Sequence, residues 1–253
     1  MEDETAHWAI APHETISQET RMVKVADKIT TVSENETGAE RFERIYCELR
    51  DRICLLTYPP GTVLSEGALA KELGISRTPI RRVFHRLEFM GLVTIKNGVG
   101  TIVTDIDLKT FKQIYDLRKR LAELMGELSP VEITPDYITK IDVLVDRTRN
   151  LADKTGAFDE LALIANDLQQ LLSDLTGNAP LCEITELMYY RVARIWYTFL
   201  PQFGWERAHA GQLNELENIR AAMVDNDIRS VGHYRSIDLQ RMLTLLGRFL
   251  AEP

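Results

Sequence analysis

The sequence predicts a mainly α-helical protein, with an N-terminal winged helix-turn-helix that has a small β-hairpin wing, followed by an all-helical bundle. Three observations lead to this fold class. Residues 64–103 contain a short helix, a glycine turn, a basic helix and a glycine-tipped hairpin in that order. Residues 105–253 contain six consecutive amphipathic segments without strand signals. Residues 1–36 are polar and show no sustained period, so we expect a flexible tail (1–36), a DNA-binding domain (37–104) and a helical domain (105–253).

Serine caps and a glycine mark the helix-turn-helix. Ser65 is suited to cap a short helix that stops at Gly74, and Ser76 is suited to begin a second helix. The apolar residues of the second helix form one stripe, namely Ile80, Val83, Phe84 and Leu87. Because the stripe would face the domain, the first turn of this helix remains free to enter a DNA groove.

Basic residues occupy the other faces of the second helix. Between Arg77 and Lys96 the chain carries four arginines and one lysine against a single acid, Glu88. A basic amphipathic helix alone is more often a solvated surface helix, but the ordered combination with a wing favours DNA binding. The wing strands are expected at 92–95 and 101–103. The predicted DNA contacts are Arg77, Thr78, Arg81, Arg82, Lys96 and Gly98.

A family resemblance covers the same stretch. The run YPPGTVLSEGALAKELGISRTPIRRVFHRLEFMGLVTIKNGVG resembles the DNA-binding domain of GntR-type bacterial transcription regulators over about residues 39–104. The resemblance implies DNA contacts at Arg77, Thr78 and Arg81, with Gly98 at the wing tip. An arginine common in the family near the start of the preceding helix is replaced by Gly67, so we expect a different operator preference.

One further helix precedes this motif. Thr37 and Glu40 form a capping-box pattern at its start, and Pro59 and Pro60 end it. His7 and His13, in the preceding tail, are interpreted as incidental rather than as metal ligands.

Six amphipathic helices are predicted after the wing. Asp105-Ile106-Asp107 is suited to cap the first, whose predicted apolar stripe is Phe111, Ile114, Leu117, Leu121, Leu124 and Leu128. The expected helices span about residues 105–128, 134–151, 157–175, 180–199, 208–224 and 227–249. Such a bundle, larger than the DNA-binding domain, indicates dimerisation and ligand sensing.

This half is similar to the FCD effector domain of the FadR-like branch of the GntR family. The similarity rests on Leu117-Arg118, the Thr176-Gly177-Asn178 corner followed by Leu181, and the turn over 221–227. Most domains of this type hold a metal through one Asp and three His. The corresponding positions here are Ala165, Gln169, Leu216 and Asp238.

None of the four family ligands is retained, which indicates a sensor domain without a metal or other cofactor. Alanine and leucine offer no lone pair, and glutamine with one aspartate cannot hold a first-row metal tightly. A register shift of five residues could bring His233 into the set, and that alternative remains open.

Inward-facing arginines then become the candidates for ligand binding. Arg191 lies on the apolar stripe of its helix, Arg194 lies beside it, and Arg118 lies beside Leu117 and Leu121. Guanidinium groups bind carboxylate or phosphate with paired hydrogen bonds, although a structural salt bridge, for example to Glu186 or Asp238, is at least as frequent an explanation for any one arginine. The predicted effector site comprises Arg118, Gln169, Arg191, Arg194 and Asp238, and the expected effector is a small organic acid.

Composition excludes several other classes of protein. The chain has 253 residues and a formal net charge of −8. Cys47, Cys54 and Cys182 show no Cys-x-x-Cys spacing, and no apolar run is long enough to span a membrane. We also find no catalytic motif, so we expect a cytoplasmic protein that is not an enzyme.

Together these features predict a homodimeric, ligand-responsive transcription regulator, a repressor, that binds a palindromic operator in double-stranded DNA. The alternative is a DNA-binding protein whose helical half only dimerises or docks a protein partner. Ligand-induced thermal stabilisation separates the two, because only a sensor is stabilised by a metabolite.

Overall fold

The computed structural model describes residues 36–105 and 108–251, with the backbone alone for 249–251. The predicted tail, including His7 and His13, therefore lies outside the described residues, apart from its last residue. Ile106 and Asp107 of the predicted cap also lie outside them.

Helix α1 (Gly38–Cys54) begins with the predicted capping box. The Glu40 amide donates to the Thr37 hydroxyl (3.2 Å), and the Thr37 amide donates to the Glu40 carboxylate (2.8 Å). These two bonds satisfy amide groups that have no partner inside the helix. The helix buries Ile45, Leu49 and Ile53 completely.

Helices α2 (Glu66–Glu72) and α3 (Arg77–Phe89) form the predicted helix-turn-helix. The Ser65 hydroxyl accepts a hydrogen bond from the Ala68 amide at 3.3 Å. Ser76 occupies the N-cap position of α3, but its side chain makes no capping bond. The four residues of the predicted stripe, Ile80, Val83, Phe84 and Leu87, are each at most 1% exposed.

The wing is a hairpin of β2 (Val93–Lys96) and β3 (Gly100–Val103), which agrees with the prediction to within one residue. A short strand not predicted from the sequence, β1 (Val63–Leu64), pairs with the other edge of β3. The strand order is β1-β3-β2 and both pairings are antiparallel. Gly98 at the hairpin tip has φ +76°, a conformation that favours glycine.

Six α-helices follow in the described part of the chain, as predicted. They are α4 (Leu108–Met125), α5 (Pro135–Arg149), α6 (Phe158–Asp174), α7 (Ala179–Phe199), α8 (Trp205–Val224) and α9 (Ile228–Ala251), with a 3-10 helix (Leu200–Phe203) between α7 and α8. Helix α4 packs mainly against α9 and also against α7, and α5 packs against α6 and α8. Within the described part of the chain, no helix combines the length and apolarity needed to cross a membrane.

The predicted apolar stripe of α4 is wrong in part. Leu117 and Leu128 are 43% and 40% exposed, and the helix ends at Met125. The buried face instead carries Tyr115 and Arg118. Helical spacing allows either of two overlapping stripes on this segment, and packing against α9 selects the one that includes the arginine.

Two glycines allow this packing. A Cβ atom on Gly126, the residue after α4, would lie 2.5 Å from the Cα of Arg229, and one on Gly232 of α9 would collide with the carbonyl oxygen of Ala122. The backbones of α4 and α9 therefore approach too closely for any side chain at these two positions.

Candidate functional site

The predicted DNA-contacting residues lie at the surface of the winged helix. Arg77, Thr78, Arg81 and Arg82 are exposed on the first turns of α3, and Lys96 and Gly98 are exposed on the wing. The buried stripe of α3 holds the helix against the domain, so these side chains remain available to a ligand outside the protein.

Two of these arginines contact the first turn of α2. The Arg81 guanidinium donates from Nε and Nη2 to the two carboxylate oxygens of Glu66, at 2.9 and 2.8 Å. These hydrogen bonds lower the pKa of the Glu66 carboxyl. The Arg77 guanidinium lies across Gly67, where its Nη2 would be 3.3 Å from an added Cβ atom.

The other two arginines of α3 lie against α1. The Cζ of Arg82 lies 5.3 Å from the ring centroid of Phe42, and that of Arg86 lies 3.8 Å from the ring centroid of Tyr46. Arg86 also donates from Nη1 to both carboxylate oxygens of Glu43, at 2.7 and 2.6 Å. These contacts hold the later turns of α3 to the domain.

Arg191 and Arg194, two residues of the predicted effector site, contact the winged helix. The Nε of Arg191 donates to the Met90 carbonyl (3.1 Å), next to Gly91 at the end of α3. Arg194 is fully buried and donates to the Thr104 carbonyl (3.2 Å) and the Thr104 hydroxyl (2.8 Å). Both side chains therefore join α7 to the winged helix, and neither lines the cavity between α4, α7, α8 and α9. Helical spacing placed them on a buried face but could not say which neighbour covers that face.

A cavity of about 40 Å³ lies between α4, α7, α8 and α9. It is large enough for roughly three water molecules. Its charged lining consists of four arginines and one acid, which are Arg118, Arg207, Arg235, Arg241 and Glu215, and its aromatic lining includes Tyr115, Tyr189, Trp196, Tyr197 and Phe203.

Arg118 is the predicted effector residue that does line this cavity. Its side chain is 5% exposed, and its Cζ lies 5.0 and 5.2 Å from the ring centroids of Tyr115 and Tyr189. No carboxylate of the described chain forms an ion pair with it. Desolvation lowers the pKa of the guanidinium, with nearby Arg235 acting in the same direction.

Two carboxylates beside the cavity do have arginine partners. Glu215 accepts from the Nη1 of Arg235 at 2.5 Å, and both groups are buried. Asp238 accepts from Arg241 through Oδ1, whereas its buried Oδ2 has no hydrogen-bond partner among the described residues. Desolvation is the main cause that raises the pKa of Glu215 to about 7. Arg235 opposes this rise, and Asp238 adds to it.

The remaining predicted effector residues border the site. Gln169 is buried and lines a smaller cavity of about 20 Å³, which it shares with Arg118 and Arg235. Asp238 does not line the larger cavity itself but binds Arg241, which does. The sequence analysis did not predict four charged residues that line the cavity, namely Arg207, Glu215, Arg235 and Arg241. Arg235 carried a signal, because it lies between Val231 and Leu239 on a buried stripe at helical spacing.

The four positions of the family metal pattern do not form a ligand set here. Leu216 is fully buried, Ala165 is partly buried, and Gln169 and Asp238 are as described above. His233, the alternative ligand, is exposed on α9, whereas Asp238 is buried. Within residues 36–105 and 108–251, no three His, Cys, Asp or Glu side chains are grouped so that they could hold a metal ion.

Comparison with known proteins is consistent with this architecture. Residues 41–103 match the family model described as bacterial regulatory proteins, gntR family. The uncharacterized HTH-type transcriptional regulator YdhC of Bacillus subtilis is 28% identical over 143 residues, 56% of this chain and 64% of that protein. The gluconate operon transcriptional repressor of Bacillus licheniformis is 37% identical over 105 residues, 40% of this chain and 43% of that protein. The matches thus span less than two thirds of either relative.

Solved structures share the fold of most of the chain. McbR/YncC of Escherichia coli superposes with a TM-score of 0.71 at 16% identity, over 82% of this chain and 98% of that one. A transcriptional regulator of Rhodococcus sp. RHA1 superposes with a TM-score of 0.63 at 19% identity and the same coverage. The family match assigns residues 41–103 to the GntR type of DNA-binding domain, and the superpositions extend the shared fold into the helical domain.

Proposed function

We propose that this chain is a transcription regulator of the GntR family, a repressor whose affinity for its operator changes when the helical domain binds a small organic acid. The observation that carries the proposal is a combination of two features. Helix α3, which we assign as the recognition helix, exposes arginines, and the cavity of the helical domain presents Arg118 without a carboxylate partner among the described residues. We assign the helical domain to the FCD type and the protein to the cytoplasm.

On the DNA side, the first turns of α3 would enter the major groove while the wing approaches the backbone. Arg77 and Arg81 would donate paired hydrogen bonds to a guanine edge. Thr78, Arg82, Lys96 and Gly98 are assigned to phosphate or additional base contacts. Selection of bound duplexes from a random library by the full-length protein tests this assignment, and failure to enrich any sequence would contradict it.

We propose that two copies bind a palindromic operator. A single winged helix makes few contacts with DNA, and two-fold symmetry doubles them. Exposed apolar residues on the adjacent helices α4 and α9, Leu117 and Ile237, support an interface through the helical domain. Sedimentation at micromolar concentration should give a dimer, and a monomer would contradict the proposal.

The proposal that the effector is an acid rests on the positive charge of the arginines that line the cavity. Arg118 has lost hydration without gaining a carboxylate partner among the described residues, so an incoming carboxylate would supply the missing counter-charge. Arg207 on the cavity wall adds a further positive charge. Because the lining is also rich in aromatic side chains, we infer a ligand with one acidic end and an apolar or hydroxylated body.

The small cavity suggests how such a ligand would act. A cavity of about 40 Å³ must widen to admit an organic acid, so the ligand would favour an arrangement different from the one described. Tyr189, Ala193 and Tyr197 of α7 line the cavity, while Arg191 and Arg194 of the same helix bind the winged helix. Movement of α7 would therefore reposition the recognition helix.

The test is thermal unfolding in the presence of a panel of small mono-, di- and hydroxycarboxylates. An effector at one hundred times its dissociation constant should stabilise the folded state by about 2.7 kcal/mol and should change the affinity for the selected duplex. If no acid stabilises the protein, the helical domain serves instead for dimerisation or protein docking.

In the proposed function, no metal takes part in effector binding. Ala165, Gln169, Leu216 and Asp238 do not provide the donor set of a first-row metal site. EDTA should therefore leave thermal stability and effector response unchanged. One transition metal per subunit that is lost together with the response would contradict the proposal and would direct attention to His233.

A further inference from the structure

The first turn of α2 contacts the two arginines that begin the recognition helix. Glu66 binds Arg81, and Gly67 leaves the space in which Arg77 lies. Neither α2 residue belongs to the predicted set of DNA contacts, yet both determine where a predicted contact is held.

The Glu66–Arg81 pair fixes the plane of the guanidinium. Two different nitrogens, Nε and Nη2, donate to two different carboxylate oxygens at 2.9 and 2.8 Å. This fork geometry restricts rotation of the group about its long side chain. The Arg81 side chain nevertheless remains 64% exposed, so its Nη1 edge is held in one orientation while it is open to the solvent.

Gly67 has a corresponding effect on Arg77. An added Cβ atom would lie 3.3 Å from Nη2 and 3.6 Å from both Cζ and Nε, so the whole guanidinium rests on the backbone of α2 at this glycine. A methyl group at position 67 would shift the guanidinium of Arg77 by a few tenths of an ångström, and a long side chain would displace it further.

A second acid–arginine pair on the recognition helix has a different geometry. Arg86 lies in the last turn of α3, far from the first turn. It donates to Glu43 of α1 through a single nitrogen, Nη1, and its guanidinium packs on the ring of Tyr46 of α1. This pair fastens α3 to α1 and serves as an internal comparison for the Glu66 pair.

We propose that Glu66 is a positioning residue for base discrimination, and that Gly67 is the clearance that lets Arg77 adopt its base-reading position. The inference rests on the proposed DNA-binding function. A carboxylate beside a DNA-contacting arginine repels phosphate, so it weakens binding to every sequence alike. Its benefit is orientation, since a fixed guanidinium can satisfy a guanine edge in one geometry only.

The two effects of Glu66 have opposite signs, and this makes the proposal testable. In Glu66→Gln, loss of the negative charge should tighten binding to random-sequence DNA. Loss of the fork should weaken binding to the preferred duplex relative to its single-base variants. A structural defect would weaken both.

The experiment uses full-length wild-type, Glu66→Gln, Gly67→Leu and Glu43→Gln proteins. A preferred duplex is selected with the wild type, and dissociation constants are measured for that duplex, for its single-base variants and for a random-sequence duplex. We expect Glu66→Gln to reduce the discrimination ratio about tenfold at one base pair while the random-sequence affinity is equal or tighter.

Gly67→Leu should reduce discrimination at a different base pair, the one read by Arg77. Glu43→Gln removes the same charge from α1, where Glu43 contacts the other end of the recognition helix. It should leave the discrimination ratio within about twofold of the wild-type value, because it is far from the base-reading turn. Melting temperatures of all four proteins establish that the variants are folded.

The proposal is overturned if Glu66→Gln retains the wild-type ratio, or if it tightens preferred and random duplexes equally, since Glu66 would then only compete with DNA. A wild-type protein that enriches no sequence overturns the proposed function itself, and this inference with it.

Discussion

Arg194 and Thr104 connect the two halves of the molecule through paired hydrogen bonds. The guanidinium of Arg194 donates to both the carbonyl and the hydroxyl oxygen of Thr104, and the hydroxyl in turn donates to the Gly91 carbonyl at 2.7 Å. A buried cation of the helical domain thereby joins the segment after the wing to the turn after the recognition helix. Helix α7, which carries Arg194, also lines the cavity.

Removal of Arg194 should destabilise the protein and disconnect the two halves. Arg194→Met leaves buried acceptors at Thr104 and Arg191 without their donor, which costs about 1 to 3 kcal/mol in the free energy of unfolding. Urea unfolding measures this loss. If the effector acts through α7, the variant should still bind the effector while its effect on DNA affinity diminishes.

Thr104→Val is the matched change on the other side of this contact. It removes the hydroxyl but keeps the backbone carbonyl, so the loss in unfolding free energy should be smaller, about 1 kcal/mol. Wild-type effector response in both variants would show that this contact does not transmit the signal.

Replacement of Arg118 should abolish effector binding without lowering the free energy of unfolding. Arg118→Met removes a buried guanidinium that lacks a carboxylate partner in the described chain, while it keeps the apolar volume and loses the contacts with the rings of Tyr115 and Tyr189. The unfolding free energy should be unchanged or higher by up to about 2 kcal/mol. Stabilisation by the organic acid that is active on the wild type should disappear.

Arg207→Met is the control for Arg118, because Arg207 also lines the cavity but belongs to α8. It should weaken acid binding without abolishing it, since Arg118 remains. An Arg118→Met protein that is stabilised by the acid as strongly as the wild type would remove Arg118 from the effector site.

Replacement of Arg81 should affect DNA recognition alone. Arg81→Ala should cost about 1 to 3 kcal/mol in binding to the preferred duplex and should reduce discrimination at one base pair. Arg120→Ala removes the same charge from α4, where Arg120 pairs with Glu123, and should leave discrimination unchanged. Equal affinity and selectivity of Arg81→Ala and the wild type would contradict the assignment of α3.

The Glu215 carboxyl should make stability depend on pH. Its pKa is raised from 4.5 to about 7 by burial, so between these values the folded protein retains a proton that the unfolded chain has lost. The free energy of unfolding contributed by this group is therefore highest below about pH 4.5, falls as the pH rises to about 7 and is constant above that.

Glu215→Gln does not titrate and isolates this effect. The unfolding free energy of the wild type minus that of Glu215→Gln should decrease across the same pH range, as measured by urea unfolding in matched buffers. A difference that increases with pH would mean that Arg235 keeps Glu215 ionised despite its burial.

The α4–α9 contact should not tolerate a methyl group. In Gly232→Ala the new Cβ meets the Ala122 carbonyl, so the helices must separate, at a cost of about 1 to 3 kcal/mol. Gly247→Ala, on the same helix with nothing within 4 Å, should instead stabilise by about 0.5 to 1 kcal/mol. Thermal unfolding of the two variants compares them directly, and equal melting temperatures would contradict the close approach.

Local chemistry explains why the sequence alone predicted the winged helix so closely. Some features depend only on neighbouring residues in the chain, so their effect can be inferred without knowing the fold. They are the capping box of Thr37 and Glu40, the cap at Ser65 and the glycine at position 98. The stripe of α3 could be assigned to the core because it is the only apolar face of that helix. Strand β1 was missed because two residues give no period and depend on β3 for their hydrogen bonds.

The sequence by itself determined that six helices follow the wing and that Arg118, Arg191 and Arg194 lie on buried or partly buried faces. Only the tertiary structure decided what each arginine faces: Arg118 lines the cavity, whereas Arg191 and Arg194 bind backbone oxygens of the winged helix. The reason is physical. Helical periodicity specifies the direction in which a side chain leaves its own helix. The partner it meets depends on contacts between residues far apart in the chain, such as Arg191 and Met90, which are separated by 101 positions.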